Sequence, residues 1–247
     1  MVGHVTAPAA VLLDTLPTWA TLVRAANPGP MTLDGTNTWL LRAPGTPRSV
    51  VVDPGPQLEE HLAAIIENGP IEAILVTHGH EDHTQAVPRL AEITGAPVLD
   101  FDGEETLGGL TVRAIDTPGH TRDSVSYVIN DEAVLVGDTI LGRGTTVVAF
   151  PDGDLAAYLS SMETLIGLGP MPVLPGHGPA LADCAAAATY YREHRRARLE
   201  QVRAAVAGGA VEAMDVVRIV YADVDEVLWP AAALTVEAQL AYLRDHP

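Results

Sequence analysis

Three histidines and two acidic residues stand together at residues 77–83, in the run Thr-His-Gly-His-Glu-Asp-His. Imidazole nitrogens and carboxylate oxygens are good ligands for zinc and similar divalent ions. The apolar run at residues 73–76 directly precedes this cluster and predicts a buried strand. Gly79 allows a tight backbone turn between the first two histidines. Ligand-type side chains at this density, at the end of a strand, predict a metal site.

Three more candidate ligands each follow a strand-like run. They are His120, Asp138 and His177, which follow the runs 111–116, 133–137 and 171–174. Each of them alone would be an ordinary surface, core or turn residue. Together with the histidine cluster they predict one site at one edge of a layered sheet structure, where the ends of several strands converge.

Strands interleaved with helices predict an α/β body, and a change in composition after Pro179 predicts a helical tail. We place the domain boundary at residue 180, with a catalytic domain at 1–180 and a connector helix with a small helical domain at 181–247. The predicted strands are 38–42, 50–53, 73–77, 97–99, 111–116, 125–129, 133–137 and 171–174. The predicted helices are 59–68, 84–94, 154–168, 181–206, 211–221 and 230–244.

Composition and charge restrict the function classes. The 247 residues carry a net charge of −18, and this argues against general nucleic-acid binding because an acidic surface repels phosphates. The single cysteine excludes a disulfide framework. There is no run of about 20 apolar residues that would span a bilayer. Residues 1–16 lack the features of a signal peptide, so we expect a cytoplasmic protein without membrane contacts.

The ordered motifs over residues 27–180 resemble the metallo-β-lactamase superfamily, whose signature is Thr-His-x-His-x-Asp-His with three later ligands. This resemblance implies a four-layer αββα sandwich with a two-metal site at one edge. It also implies a role for Asp53, in Val-Val-Asp-Pro-Gly, as a support behind the ligands, although a plain strand exit would look the same. The implied ligands are His78, His80 and His120 for the first ion, Asp82, His83 and His177 for the second, and Asp138 as the bridge.

Three further stretches are similar to the branch that contains the mitochondrial lactamase-like endoribonuclease and bacterial relatives with a small winged-helix-like C-terminal domain. They are residues 27–39, residues 142–147 and the tail that begins near His194. This branch implies a single-stranded RNA substrate, but the strongly acidic chain disfavours RNA. Four polar residues in or near these stretches are candidate substrate contacts, with turn formation as the alternative explanation: Asn37, Thr38, Thr145 and Thr146.

The predicted function is a binuclear metal-dependent hydrolase of a small ester, thioester or phosphodiester. Two divalent ions, with zinc as the expected metal, would share a bridging hydroxide that attacks the substrate. Asp82 and Asp138 are the catalytic candidates beside their ligand roles. Antibiotic hydrolysis is a poor interpretation, because class B β-lactamases usually lack the aspartate that matches Asp138. The alternatives are a single-stranded endoribonuclease, a non-catalytic binding module on the same fold, or an iron-dependent redox enzyme of the superfamily.

The tail carries a cluster of arginines and a set of large apolar residues that bear on its function. Five arginines lie within twelve residues: Arg192, Arg195, Arg196, Arg198 and Arg203. They form either a phosphate-facing strip beside the active site or, as the favoured interpretation, a connector helix whose arginines pair with the acidic body. Six large apolar residues are expected to pack the tail against the metal domain and to wall the site entrance: Tyr221, Leu228, Trp229, Leu234, Leu240 and Leu243.

Overall fold

The computed structural model describes residues 13–246, so most of the segment in which no signal peptide was expected lies outside the described residues. Two sheets of four and five strands make up the body, in the orders β1-β2-β3-β4 and β5-β6-β7-β8-β9. Within each sheet the last pair is parallel and all other pairs are antiparallel. The strands are β1 Ala20–Arg24, β2 Asn37–Leu41, β3 Ser49–Val52, β4 Ile71–Leu75, β5 Gly103–Leu107, β6 Leu110–Asp116, β7 Val125–Ile129, β8 Ala133–Gly137 and β9 Val173–Pro175.

Within residues 13–246, seven α-helices surround the two sheets and form the tail. Leu62 of the first helix and Leu90 of the third cover the outer face of the first sheet. Tyr158 and Met162 of the fourth helix cover the outer face of the second sheet. The layers are therefore helix, sheet, sheet, helix, and the predicted αββα sandwich is confirmed. The helices are α1 Glu59–Glu67, α2 Glu81–Thr84, α3 Val87–Thr94, α4 Leu155–Gly167, α5 Cys184–Ala207, α6 Ala213–Val220 and α7 Trp229–Asp245.

Alternation of side chains along the strands places apolar residues on both faces of each sheet. In β3, Val50 and Val52 point between the two sheets, whereas Val51 faces α1 and α3. In β8, Leu135 points between the sheets and Val134 faces α4. Both sheets are buried on two sides, which explains why these strands are continuous apolar runs in the sequence.

Helix α5 packs on both parts of the chain. Its first half contributes Ala187 and Tyr191 to the core of the body, and its second half contributes Val202 and Ala205 to a cluster with α6 and α7. Because one helix serves both cores, the boundary at residue 180 stays a prediction. The described part of the tail contains helices and one short 3-10 turn, without a strand. Among the described residues, no helix is long and apolar enough to cross a membrane.

Four of the six large apolar tail residues belong to a cluster whose members all lie within residues 202–243: Tyr221, Trp229, Leu240 and Leu243. This cluster joins α5, α6 and α7 to one another and contains no described residue of the metal domain, so it does not confirm the expected packing of these four against that domain. Leu228 lines a cavity between the body and the tail. The expected packing of Leu234 is wrong, because its side chain is 40% exposed while Thr235 and Val236 face inward from the same turn of α7.

Differences from the predicted elements have local causes. The predicted helix 84–94 is interrupted between α2 and α3, because Pro88 fits the first turn of a new helix and not a helix interior. Residues 97–99 form only a single bridge to β4, at Val98. Sequence patterns missed β1 and the exposed strand β5. The Asn-Asp pair between the predicted strands 125–129 and 133–137 predicts a hairpin turn. The structure confirms this turn, since Asn130 and Asp131 have φ angles of 53° and 52°, as a type I′ turn requires.

Candidate metal centre

The first trio of candidate ligands meets at the exits of β4 and β6. The Nδ1 atom of His80 lies 2.9 Å from Nε2 of His78 and 3.1 Å from Nε2 of His120. All three ligand atoms lie within 4.8 Å of one another. His78 and His120 are buried, whereas His80 is exposed and faces the open side. Three converging nitrogens are a typical set for one zinc-class ion with an open coordination position.

The second trio joins helix α2 to the exit of β9. Nε2 of His177 lies 3.1 Å from Oδ2 of Asp82 and 3.3 Å from Nε2 of His83. The distance from Nε2 of His83 to Oδ2 of Asp82 is 3.5 Å. Two nitrogens and one carboxylate oxygen thus face a common point, next to the first trio.

Asp138, at the exit of β8, lies between the two trios. Its Oδ1 atom is 3.5 Å from Nε2 of His83, and its Oδ2 atom is 3.4 Å from Nε2 of His177 and 3.9 Å from Nε2 of His120. Oδ1 is buried and accepts no hydrogen bond. A buried carboxylate oxygen without a partner is costly unless a cation neutralises it. The donor set and this orphaned oxygen fit a pair of bound divalent ions.

Carbonyl and carboxylate acceptors orient the imidazole rings. Nδ1 of His120 donates to the carbonyl of Val147 at 2.7 Å, and Nδ1 of His83 faces Oδ2 of Asp53 at 2.9 Å. Nδ1 of His177 lies 3.3 Å from the carbonyl of Gly35. Each acceptor holds the proton on Nδ1, so that Nε2 is free to ligate.

Asp53 occupies the support position that the resemblance implied. Its Oδ1 accepts the Thr77 backbone N–H at 2.7 Å, and its Oδ2 accepts the Thr77 hydroxyl at 2.6 Å. Oδ2 also faces His83, while the Thr77 hydroxyl lies 3.0 Å from Nδ1 of His78. One buried carboxylate therefore braces a ligand of each trio, either directly or through Thr77.

The electrostatics of the cluster favour ligand-competent forms for several residues. Burial lowers the pKa of His78 to about 2, so that this imidazole is neutral. Burial opposes ionisation of Asp82, but the hydrogen bond from His177 and the charge of His83 outweigh it and lower the pKa of Asp82 to about 2. Burial likewise opposes the charged form of His177, but Asp138 and Asp82 raise the pKa of His177 to about 10. A bound cation would take the place of the proton on His177.

Two glycines let the backbone approach the centre closely. Gly137 has a φ angle of 49°, and a β-carbon there would lie 2.3 Å from the Thr77 hydroxyl. A β-carbon at Gly176 would lie 2.5 Å from Oδ1 of Asp138 and 2.7 Å from Cε1 of His83. Any side chain at these positions would displace residues of the centre.

A cavity of about 600 Å³ opens from the centre towards the tail. His120 and Asp138 line its inner end. Leu228 and Thr235 belong to its outer wall, so the tail walls the site entrance as predicted. This volume is within the usual range for small-molecule sites.

The four candidate substrate contacts divide into two pairs. Thr145 and Thr146 line the cavity, and the Thr146 hydroxyl lies 3.1 Å from Nδ1 of His120. Asn37 and Thr38, in contrast, are 1% and 0% exposed, and they form part of the framework. Their side chains donate to backbone carbonyls, those of Pro175 and Gly178 for Asn37 and that of Asp53 for Thr38. The prediction that these two residues touch a substrate is therefore wrong.

Thr36 is a site residue that the motif analysis missed. Its backbone pairs with His177 in an isolated bridge, and its hydroxyl lies 3.4 Å from Oδ2 of Asp82. The side chain is fully buried. Thr36 lies within residues 27–39, a stretch that resembles the family, and this position could have identified it as a site residue.

The arginines of α5 are engaged by the protein. Arg192 and Arg196 both pair with Glu163, and Arg203 pairs with Glu200. The interpretation that these arginines pair with the acidic body is confirmed for Arg192 and Arg196, whereas the partner of Arg203 lies on α5 itself. Arg198 lies 3.9 Å from Asp223. Arg195 is 3% exposed and donates to the Thr146 carbonyl.

Comparisons with known proteins agree with this architecture. The family model for the Metallo-beta-lactamase superfamily matches residues 31–99 and 93–177, and the model for the Beta-lactamase associated winged helix domain matches residues 213–245. The chain belongs to the metallo-β-lactamase superfamily and is a hydrolase of that superfamily with a C-terminal winged-helix domain. The resemblance inferred from the sequence is thereby confirmed.

Three similar proteins illustrate the relationship. A Drosophila melanogaster protein named Beta-lactamase-like protein 2 homolog is 35% identical, over 90% of this chain and 86% of its own. An Atrochrysone carboxyl ACP thioesterase of Aspergillus chevalieri is 34% identical, over 83% of this chain and 73% of its own. The crystal structure of a beta-lactamase domain protein from Burkholderia ambifaria shares the fold with a TM-score of 0.78 and 23% identity, over 98% of this chain and 95% of that one.

Proposed function

We propose that the protein is a binuclear, zinc-dependent hydrolase of a small ester, thioester or phosphodiester, with thioesters as the favoured class. The observation that carries this proposal is the convergence of two ligand trios on the unpartnered carboxylate oxygen of Asp138. A complete ligand set also argues against a binding module that has lost its chemistry. The similarity to a protein named as a thioesterase supports the thioester class.

The candidate ligands would be shared between two metal ions. His78, His80 and His120 would hold the first ion, Asp82, His83 and His177 the second, and Asp138 both. When bound, the ions would supply Lewis-acid activation of water and of the substrate carbonyl or phosphoryl group.

The carboxylates of the centre are suited to this work. Burial opposes ionisation of Asp138, but His83 and His177 outweigh it and hold the pKa of Asp138 well below its usual range. Asp138 is thus charged at neutral pH, as a bridging ligand must be. Asp82 keeps 30% of its side chain exposed, so it can both ligate and accept a hydrogen bond from water on the open side.

RNA cleavage is the less favoured alternative. An extended RNA chain would lie along a surface of a protein with net charge −18. Arginines of α5 that would attract phosphates are already paired with acidic side chains, as at Glu163. Repulsion at the surface should make RNA binding weak and strongly dependent on salt.

The test is elemental analysis of the purified protein combined with a substrate comparison at near-physiological salt. We expect close to two zinc-class ions per chain, and faster hydrolysis of an acetyl thioester than of a single-stranded RNA oligomer. Asp138→Asn should abolish hydrolysis, while His246→Ala, at an exposed histidine outside the cluster, should leave it unchanged. Absence of metal with no gain of activity on adding zinc would refute the proposal. Efficient RNA cleavage that depends on His83 would identify RNA, and not a small thioester, as the substrate.

The cellular location and the binding partners of the protein stay predictions. A cytoplasmic location is one of them, and fractionation of the source cells tests it. The expected partner is a small-molecule substrate, with no membrane.

A further inference from the structure

The cavity between the metal centre and the tail is far larger than the reaction itself needs. Its volume is about 600 Å³, and it extends from His120 and Asp138 to residues of the tail. An acetyl group would leave most of this space filled with water. The remaining space therefore has room for a larger part of the substrate, adjacent to the atoms that react.

Apolar side chains from both domains form much of the wall. The body contributes residues from the loops after β1 and after β8, and the tail contributes residues from the segment between α6 and α7. Met31, Leu33, Leu141, Val147, Val224 and Leu228 are among the apolar lining residues. Met31 is 51% exposed although it is large and apolar, and its flexible thioether can adapt to a bound group.

The arginines of the wall are already engaged within the protein. Arg143 makes two contacts with the carboxylate of Asp34, at 2.5 and 2.8 Å. Arg195 donates to the Thr146 carbonyl, and Arg198 pairs with Asp223. A phosphate or carboxylate in the cavity would have to compete with Asp34 for Arg143 and with Asp223 for Arg198, whereas the buried Nε of Arg195 has no partner among the described residues. An apolar occupant needs no such exchange, and it gains free energy from the removal of apolar surface from water.

We propose that this cavity binds an apolar acyl group of the substrate, and that Leu228 and Val224 of the tail select its length. The inference rests on the proposed function, since the acyl carbon must lie next to the metal centre. It adds a role for the tail: the winged-helix domain acts as the specificity wall of the hydrolase. Leu228 belongs to the short 3-10 turn Glu226–Leu228, whose start Asp225 caps by accepting the Val227 backbone N–H at 3.1 Å.

The experiment uses the metal-loaded full chain and N-acetylcysteamine thioesters of acetate and octanoate. Wild-type protein should prefer the octanoyl thioester by at least about tenfold in kcat/KM. Leu228→Trp fills the cavity, so it should lower kcat/KM for the octanoyl thioester at least about tenfold, mainly through KM, and change acetyl hydrolysis less than about twofold. Val227→Trp is the matched control, because Val227 is the preceding residue, is 64% exposed and does not line the cavity.

A second variant guards against misfolding of Leu228→Trp. Leu228→Ala enlarges the cavity and should shift the preference from octanoyl towards dodecanoyl thioesters. Equal kcat/KM for acetyl and octanoyl thioesters in the wild type would overturn the inference. Equal losses for both substrates in Leu228→Trp, or the same loss in Val227→Trp, would overturn it as well.

Binding without turnover separates this inference from the proposed function. A non-hydrolysable octanoyl thioether analogue should bind wild-type protein at least about tenfold more tightly than its acetyl counterpart, by calorimetry, and Leu228→Trp should remove the difference. If no thioester is hydrolysed while this difference in affinity is present, the thioester class of the proposed function is refuted and the apolar binding site is retained. If neither analogue shows a difference, the inference fails whether or not thioesters are hydrolysed.

Discussion

Oδ2 of Asp53 lies 2.9 Å from Nδ1 of His83, and this contact joins the end of β3 to helix α2 inside the body. Asp53 adopts a positive φ angle of 52°, an uncommon conformation for a residue with a side chain. Both side chains are almost fully buried. Asp53 is not itself a candidate ligand, but its carboxylate orients the ring of His83 towards the metal centre.

Asp53→Asn should weaken metal binding. An amide nitrogen would face either Thr77 or His83, both of which donate to the native carboxylate, so one donor would lose its acceptor. We expect the affinity for one of the two ions to fall by about 10–100-fold. Competition with a zinc-buffering chelator measures this change. The control is Asp131→Asn, because the side chain of Asp131 is 81% exposed and pairs only with Arg113 at the surface. Unchanged zinc affinity in Asp53→Asn would contradict the proposed support role.

Arg195→Met should destabilise the body. The guanidinium of Arg195 donates to the Thr146 carbonyl and lies 5.3 Å from the centroid of the Tyr158 ring. Loss of a buried charged donor leaves that carbonyl without its partner, so we expect the free energy of unfolding to fall by about 2–4 kcal/mol. Arg196→Met, at a side chain that is 59% exposed, should change it by less than about 0.5 kcal/mol. Urea denaturation compares the two variants, and equal effects would refute a special role for Arg195.

His194→Gln should make the free energy of unfolding less dependent on pH. Burial lowers the pKa of His194 to about 4, and the nearby charges of Arg195 and Arg198 act in the same direction. Between the unfolded pKa of about 6.5 and the folded value, the unfolded chain binds a proton that the folded chain does not. The stability that the neutral ring contributes is therefore present above about pH 6.5 and is lost as the pH falls towards 4.

Thermal melts between pH 7.5 and 4 measure this effect as the difference between wild type and variant. The wild type should lose more stability than His194→Gln over this range. His246→Gln provides the control, since His246 is exposed at the end of α7. Parallel melting curves for wild type and His194→Gln would contradict the expectation.

Val236→Ala should destabilise the tail. Val236 is fully buried in the cluster that joins α7 to α5 and α6. Removal of two methyl groups, together with the small cavity that remains, should cost about 1–3 kcal/mol. Val211→Ala, at a residue that is 77% exposed, should change stability by less than about 0.5 kcal/mol. Differential scanning calorimetry distinguishes the two.

Truncation after Val206 extends the same test. The deletion would expose Val202 and Ala205 of α5 and would remove one wall of the cavity. We expect lower solubility and altered turnover. A truncated protein with unchanged melting temperature and unchanged turnover would show that the tail is an independent appendage.

Local patterns in the sequence were sufficient for much of the fold. Short, mostly apolar runs predicted β7 and β8, and the Asn130-Asp131 pair predicted the turn between them, because these signals act within a few residues. Helix α4 was predicted within a residue or two of its ends, with Asp152 or Asp154 as its cap, and the structure has Asp154 in that place. The exposed, acidic strand β5 has no such apolar run, and its partner β6 alone holds it in the sheet.

The sequence by itself determined which residues could bind metal, because the density of histidines and aspartates at strand ends is a chemical signal that needs no coordinates. Only the tertiary structure decided which polar neighbours serve the site. Asn37 and Thr38 are buried in the framework, whereas Thr146 lines the cavity, and sequence type cannot separate them. The size of the cavity depends likewise on how the tail packs against the body. Burial and cavity shape arise from contacts between distant segments, and a local pattern carries no information about them.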